Sequence, residues 1–269
     1  MPTVRVGDID MYYELHGEGE PLLLIMGLGG DLTGWMLQTL AFSQEYQVIV
    51  FDNRGVGRTD APDALYSIKM MADDAAGLLD ALGIEKAHIL GGSMGGMIAQ
   101  ELALRHPQRV KSLILATTTA ACYPRLKHIT DTWARMALEG VSMETRLREL
   151  APWGFTDKFF ENEEQLNMGI KMMLNNPYAQ PAYAFARQVA ASWEHDTRDR
   201  IGQITALTLV IVGKDDILLP VKLSEELAEG IPNAELVVLE GGAHAFLSEI
   251  ADKFNEAVLG FLARVREKG

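Results

Sequence analysis

The sequence predicts an α/β fold: a mostly parallel, doubly wound sheet with an antiparallel hairpin at its N-terminus and a helical insertion past its middle. Three observations point there. Short apolar runs recur along the chain, several of them followed at once by Gly or Asp, which is how fully buried parallel strands read. Segments of helical length and pattern alternate with these runs. One interval, residues 117–206, is far longer than the roughly 2 to 6 residues that normally join such elements.

The opening stretch VRVGDIDMYYELHG alternates apolar and polar residues across a turn at Gly7-Asp8, the pattern of a hairpin. The buried strands follow as LLLIM (22–26), VIVF (48–51), HILG (88–91), SLILA (112–116), LTLVIV (207–212) and ELVVL (235–239). Helices are expected over Ser67–Leu82, Met94–Arg105, Val221–Glu229 and Ile250–Val265. The long interval is itself helix-forming and is punctuated by Pro124, Pro152, Pro177 and Pro181, so it reads as four or five short helices. A length of 269 residues suits one large domain carrying such an insertion. The expected division is a core of residues 1–118 and 205–269 and a helical cap of residues 119–204.

Charge narrows the function. With 24 Lys plus Arg against 37 Asp plus Glu, the net charge is −13. Such a surface repels phosphate backbones and anionic headgroups, so neither nucleic acid nor a membrane is an expected partner. No apolar stretch reaches the roughly 18 residues of a membrane span. The start, MPTVRVGDIDMYYE, lacks the basic and apolar regions of a signal peptide, so a cytoplasmic location is expected. The single cysteine, Cys122, has no intrachain partner and no neighbours at zinc spacing. It is expected to be a partly buried thiol, and neither a metal nor another cofactor is expected.

The strongest local signal is HILGGSMGGMIAQELA: a strand, then Gly91-Gly92-Ser93-Met94-Gly95, then a helix. This is the G-x-S-x-G nucleophile elbow, which lifts a serine hydroxyl clear of the sheet on a tight turn. Glycines two residues before and after leave room for that turn. A serine needs a base, and the base needs an orienting acid. Gly213-Lys214-Asp215-Asp216 follows one later strand and Gly241-Gly242-Ala243-His244 follows the next, so the order is Ser, Asp, His. Either Asp215 or Asp216 is available by position. His16, His88, His106, His128 and His195 fit structural or solvent-facing roles better.

Five motifs in order, MGLGG (26–30), DNRGVGRTD (52–60), GGSMGG (91–96), GKDDILLP (213–220) and GGAHAFLSE (241–249), carry a resemblance to the α/β-hydrolase superfamily over nearly the whole chain. The resemblance is nearest to capped bacterial carboxylesterases and 3-oxoadipate enol-lactonase-like hydrolases. It implies the α/β-hydrolase fold, with Ser93 as nucleophile, His244 as base and Asp216, framed by Gly213 and Pro220, as the acid. It also implies an oxyanion hole made of the backbone N–H groups of Met94 and Leu28, the latter in a loop that opens Met26-Gly27 where relatives often have His-Gly. Leu207 stands where many relatives have proline. Arg54 is expected to tie its glycine-rich loop together rather than touch substrate. The cap is rich in Met and aromatic residues; Met26, Met97, Trp133, Met136, Trp153 and Met172 are the expected pocket lining. The expected activity is hydrolysis of a small-molecule carboxylic ester through an acyl-enzyme. Enol-lactone or carbon-carbon bond hydrolysis by the same triad is the alternative, and a non-catalytic ligand receptor on this fold is the remaining possibility.

Overall fold

Gly7 turns the chain at φ +54°, a left-handed conformation open to glycine, and joins β1 (Thr3–Val6) to β2 (Ile9–His16) as an antiparallel hairpin. In the computed structural model, which describes residues 2–268, β2 then pairs antiparallel with β4 (Tyr46–Phe51). Every later pairing is parallel. It involves β3 (Glu20–Ile25), β5 (Ala87–Gly92), β6 (Val110–Ala116), β7 (Leu207–Gly213) and β8 (Ala234–Leu239). The 8-stranded sheet runs β1-β2-β4-β3-β5-β6-β7-β8. β3 therefore lies between β4 and β5, and the carboxyl ends of β3, β5, β6, β7 and β8 share one rim.

Alternation within the strands divides the core between two faces. Leu23, Ile25, Ile89, Leu113 and Leu115 point to one side, against α2 (Ile68–Ala81) and α3 (Met94–Arg105). Leu22, Leu24, Leu90 and Ile114 point to the other, where α1 (Met36–Phe42) contributes Phe42 and the C-terminal helix contributes Phe254, Val258 and Leu262. Fully burying each such side chain is worth about 1.5–3 kcal/mol, which fixes strand register. Ser67 caps α2 by accepting from the Met70 N–H at 3.1 Å.

Between β6 and β7 stand five helices: α4 (Pro124–Leu138), α5 (Met143–Gly154), α6 (Asp157–Phe160), α7 (Glu163–Leu174) and α8 (Ala182–Trp193). Then come α9 (Val221–Gly230), α10 (Phe246–Glu249) and α11 (Ala251–Lys268). Two expectations need correction. Pro152 lies inside α5 rather than at a boundary, two residues before the helix ends. β8 is only partly buried, because it is the last strand of the sheet and one edge is open. The helix α1 was not evident from the sequence: Gln38 and Phe42 are its buried residues while Met36, Leu37 and Leu40 are exposed, so its hydrophobic pattern misreports its packing. Among the described residues, no helix is long and apolar enough to cross a membrane.

Candidate active site

Ser93 sits between the end of β5 and the first residue of α3 with φ +55° and ψ −120°. That conformation costs a non-glycine residue on the order of 1–3 kcal/mol, so the surroundings must enforce it. Its N–H donates to Ala116 O at 2.9 Å, and its own carbonyl accepts from the Thr118 hydroxyl at 2.7 Å. A Cβ on Gly91 would run into the Gly95 backbone, and one on Gly95 into the carbonyls of Ile25 and Met26. Both positions require glycine because backbones approach too closely for any side chain.

The Ser93 hydroxyl lies 3.0 Å from His244 Nε2, and His244 Nδ1 lies 2.9 Å from Asp216 Oδ2. With the proton on Nδ1, Ser93 donates to Nε2 and Nδ1–H donates to Asp216. Asp216 is buried, and its Oδ1 accepts the N–H groups of Leu218 and Leu219 at 2.9 and 2.7 Å. Those bonds hold the carboxylate in one orientation. Asp215 is exposed, and its backbone N–H is spent on Gly242 O. The geometry therefore brings Ser93, His244 and Asp216 together and leaves Asp215 outside.

The loop after β3 reaches the same point. A Cβ on Gly27 would lie 3.1 Å from Ser93 Cβ and 3.7 Å from its Oγ, so the backbone leading to Leu28 passes beside the hydroxyl. Among the described residues, the backbone N–H groups of Leu28 and Met94 have no acceptor within the chain. Met94 also opens α3, where the helix dipole favours negative charge. The loop is clamped on both sides. Asn53 Nδ2 donates to Met26 O at 2.9 Å; the Gly29 N–H donates to Gln188 Oε1 at 3.1 Å, and Gln188 Nε2 donates to Arg54 O at 2.9 Å. Asp52 accepts the N–H groups of Leu32 and Arg58. Arg54 is buried and paired with Asp74 and Asp8 at 2.7 Å each. The DNRG segment is thus scaffolding for the loop after β3.

The insertion also grips the histidine loop. The Ala245 N–H donates to Gly154 O at 2.7 Å. Glu249 accepts the Ala243 N–H with one oxygen and the Thr156 N–H and hydroxyl with the other. Of the expected lining, Met97 and Trp133 are buried in the core cluster on the α3 side, with Trp153 packed against it. Met136 is half-buried, and Met26 folds back over Gly30 and Gly34. Met172 is 62% exposed, like Met168 and Met173, while Ile170 is the buried residue of α7. Phe185 of α8 instead packs on Gly29.

Three contributors escaped sequence reasoning: Thr117, whose hydroxyl contacts both Asp216 and His244, Gln188 and Glu249. Their only sequence signals are a Thr-Thr-Thr run after β6, a lone glutamine within an apolar helix, and the last residue of the GGAHAFLSE motif. The other histidines lie elsewhere, His88 on Glu20 and Ser112, His106 on Asp73, His16 on Glu14. Cys122 is half-buried, and burial pushes its thiol up. It lines a groove of about 410 Å³ with Tyr123, Lys127, His128 and Trp193, apart from the triad. Among the described residues, no three His, Cys, Asp or Glu side chains gather as a metal site.

The sheet, the elbow and the Ser-His-Asp cluster define an α/β-hydrolase arrangement. The profile of the alpha/beta hydrolase fold family matches residues 20–249, and the chain belongs to that family. It is 36% identical to RutD of Azorhizobium caulinodans, named for carbamate hydrolysis, across 98% of this chain and 99% of that one. Among solved structures, the enol-lactonase from Burkholderia xenovorans superposes with a TM-score of 0.89 at 29% identity, covering 97% of this chain and 100% of that one. A thermophilic esterase from Thermogutta terrifontis, solved with malate bound, gives 0.88 at 29% identity over 98% and 99% of the two chains. The chain is thus a hydrolase of this family, in line with its sequence resemblance.

Proposed function

We propose that this hydrolase cleaves carboxylic esters of small to medium uncharged acyl groups through an acyl-enzyme on Ser93. The observation that carries the reading is the continuous chain of contacts from Ser93 Oγ to His244 Nε2 at 3.0 Å and from His244 Nδ1 to Asp216 Oδ2 at 2.9 Å. As Ser93 Oγ attacks the carbonyl carbon, His244 Nε2 takes its proton and Asp216 supports the imidazolium. Negative charge collects on the carbonyl oxygen, where the free N–H groups of Leu28 and Met94 are the donors. Collapse expels the alkoxide, which takes the proton from Nε2. Water then repeats the sequence on the acyl-enzyme and restores Ser93.

In this reading residues 119–204 form a cap on a core of residues 1–118 and 205–269, and the cap sets substrate size. The net charge of −13 disfavours strongly anionic substrates and suits a cytoplasmic enzyme acting on small neutral molecules. Each methylene buried under the cap contributes up to about 0.8 kcal/mol until the space is filled. Across p-nitrophenyl esters from acetate to palmitate, kcat/KM therefore peaks at short or medium chain length. Fastest turnover of palmitate, with activation at a lipid interface, would overturn the enclosed-pocket reading.

The same residues suit a lactone or a carbamate carbonyl, and two relatives favour these: the enol-lactonase from Burkholderia xenovorans and the RutD relative. A panel of esters, lactones and carbamates, ranked by kcat/KM with Ser93→Ala as the blank, decides among them. Ester preference supports the first reading; a carbamate or lactone turned over at least tenfold faster replaces it while keeping the triad.

A further inference from the structure

Thr117 follows β6 directly, on the rim between Ser93 and Asp216. Its backbone is left-handed, at φ +43°, although a side chain branched at Cβ strongly disfavours that region. Ser93 is the one other non-glycine residue with positive φ among the described residues. The two sit side by side, since Gly92 of β5 pairs with Ala116 of β6. Thr117 is 1% exposed, and its N–H donates to Ile211 O of β7 at 2.8 Å. The neighbouring threonines bond backbone carbonyls, Thr118 to Ser93 O and Thr119 to Ala121 O. Thr117 alone of the three turns its hydroxyl onto site side chains.

That hydroxyl donates to Asp216 Oδ2 and lies 3.0 Å from His244 Nδ1. A hydroxyl has one proton and two lone pairs. With its proton on Asp216, a lone pair accepts the Nδ1–H, which is then shared between Asp216 at 2.9 Å and Thr117 at 3.0 Å.

We propose that Thr117 is a positioning residue of the triad: its hydroxyl, held between Asp216 and His244 by a left-handed backbone, fixes the imidazole in the tautomer that leaves Nε2 free to take the Ser93 proton. The inference rests on the Ser93-His244-Asp216 reading above. No proton passes to Thr117; when Nε2 is protonated, the Nδ1–H of the imidazolium keeps both acceptors.

The test measures p-nitrophenyl acetate hydrolysis, fluorophosphonate labelling rate and thermal unfolding for wild type, Thr117→Val, Thr117→Ser, Thr117→Gly and Ser93→Ala. Valine keeps the shape and the strain and removes the hydroxyl. Its kcat is expected to fall about 10- to 100-fold, the effect of losing one hydrogen bond to a charged group, with KM within about twofold. Serine restores the hydroxyl and stays within about threefold of wild type. Glycine relieves the backbone and lacks the hydroxyl, so it is as slow as valine. A folded valine variant with wild-type kcat, or a glycine variant that recovers wild-type kcat, overturns the role. Should valine fail to fold, the serine and glycine variants decide in the same way. Hydrolysis and labelling of Ser93→Ala at wild-type rates, by contrast, would overturn the triad itself, whereas loss in Ser93→Ala with a silent valine removes only Thr117.

Discussion

Asp216 shows how much a single carboxylate is asked to do. Its Oδ1 takes the N–H groups of Leu218 and Leu219, and its Oδ2 faces His244 and Thr117. In Asp216→Asn the amide oxygen keeps the backbone donors and the NH2 group turns toward Nδ1, which forces the wrong tautomer. The kcat is expected to fall by about 10⁴, as in the serine-protease precedent for this substitution. Asp215→Asn alters an exposed side chain and stays within a few-fold of wild type. Steady-state kinetics on the two variants checks this, and the reverse ranking would show that the other aspartate is the acid. Gly95 makes a structural prediction at the same scale. Any Cβ there meets the carbonyls of Ile25 and Met26, so Gly95→Ala is expected to cost at least about 2 kcal/mol in urea unfolding. An unchanged urea midpoint would mean that the elbow yields more easily than its packing suggests. Ser93 and His244 were legible in the sequence because each follows a strand in a short glycine-marked turn; position alone left Asp215 and Asp216 open, and the resemblance chose Asp216. Thr117 was not legible, since its role depends on a backbone angle and on two partners about a hundred residues away or more.

At the scale of elements, the helical insertion is fastened to both loops that serve the site. Gln188 of α8 bridges Gly29 and Arg54, while Gly154 and Thr156, around the end of α5, hold Ala245 and Glu249. Gln188→Leu would leave the Arg54 carbonyl buried and unpaired, at about 1–3 kcal/mol, and would remove the acceptor of the half-buried Gly29 N–H. The melting temperature is expected to drop, and fluorophosphonate labelling to slow, because the loop carrying Leu28 loses its clamp. Labelling at the wild-type rate would show that the loop holds its shape without the insertion. The strands were readable because burial on both faces makes them continuous apolar runs, and the elbow because its glycines are local. The helical character of the insertion was readable from its composition, but not the clamps, which join residues such as Gly29 and Gln188 across 159 positions. Methionine content marks α7 as apolar without saying which face turns inward: Ile170 is its buried residue and Met172 is exposed.

For the molecule as a whole, His195 and Glu20 are two of the several groups, Asp196 and His88 among them, whose shifts weaken the fold in acid. His195 is buried, and burial pulls it from 6.5 to about 4. The unfolded chain then binds the proton more readily, so stability declines as pH falls from 6.5 through about 4. Glu20 is held down to about 2 by its hydrogen bonds to His88 and Lys111, so its contribution is present above 4.5 and is lost as pH falls toward about 2. Melting temperature is expected to decline on acidification, less steeply from pH 6.5 to about 4 in His195→Gln and less steeply below 4.5 in Glu20→Gln. A melting temperature constant between pH 6.5 and about 4 would contradict the burial of a neutral His195. The central claim is that this one chain carries one nucleophile, Ser93. Intact-mass spectrometry after fluorophosphonate treatment tests it most directly. The predicted result is a single phosphonyl adduct on wild type, mapped to the peptide containing Ser93, none on Ser93→Ala, and slow labelling of Asp216→Asn. A Ser93→Ala protein labelled as fast as wild type, or an adduct mapped to another residue, would contradict it.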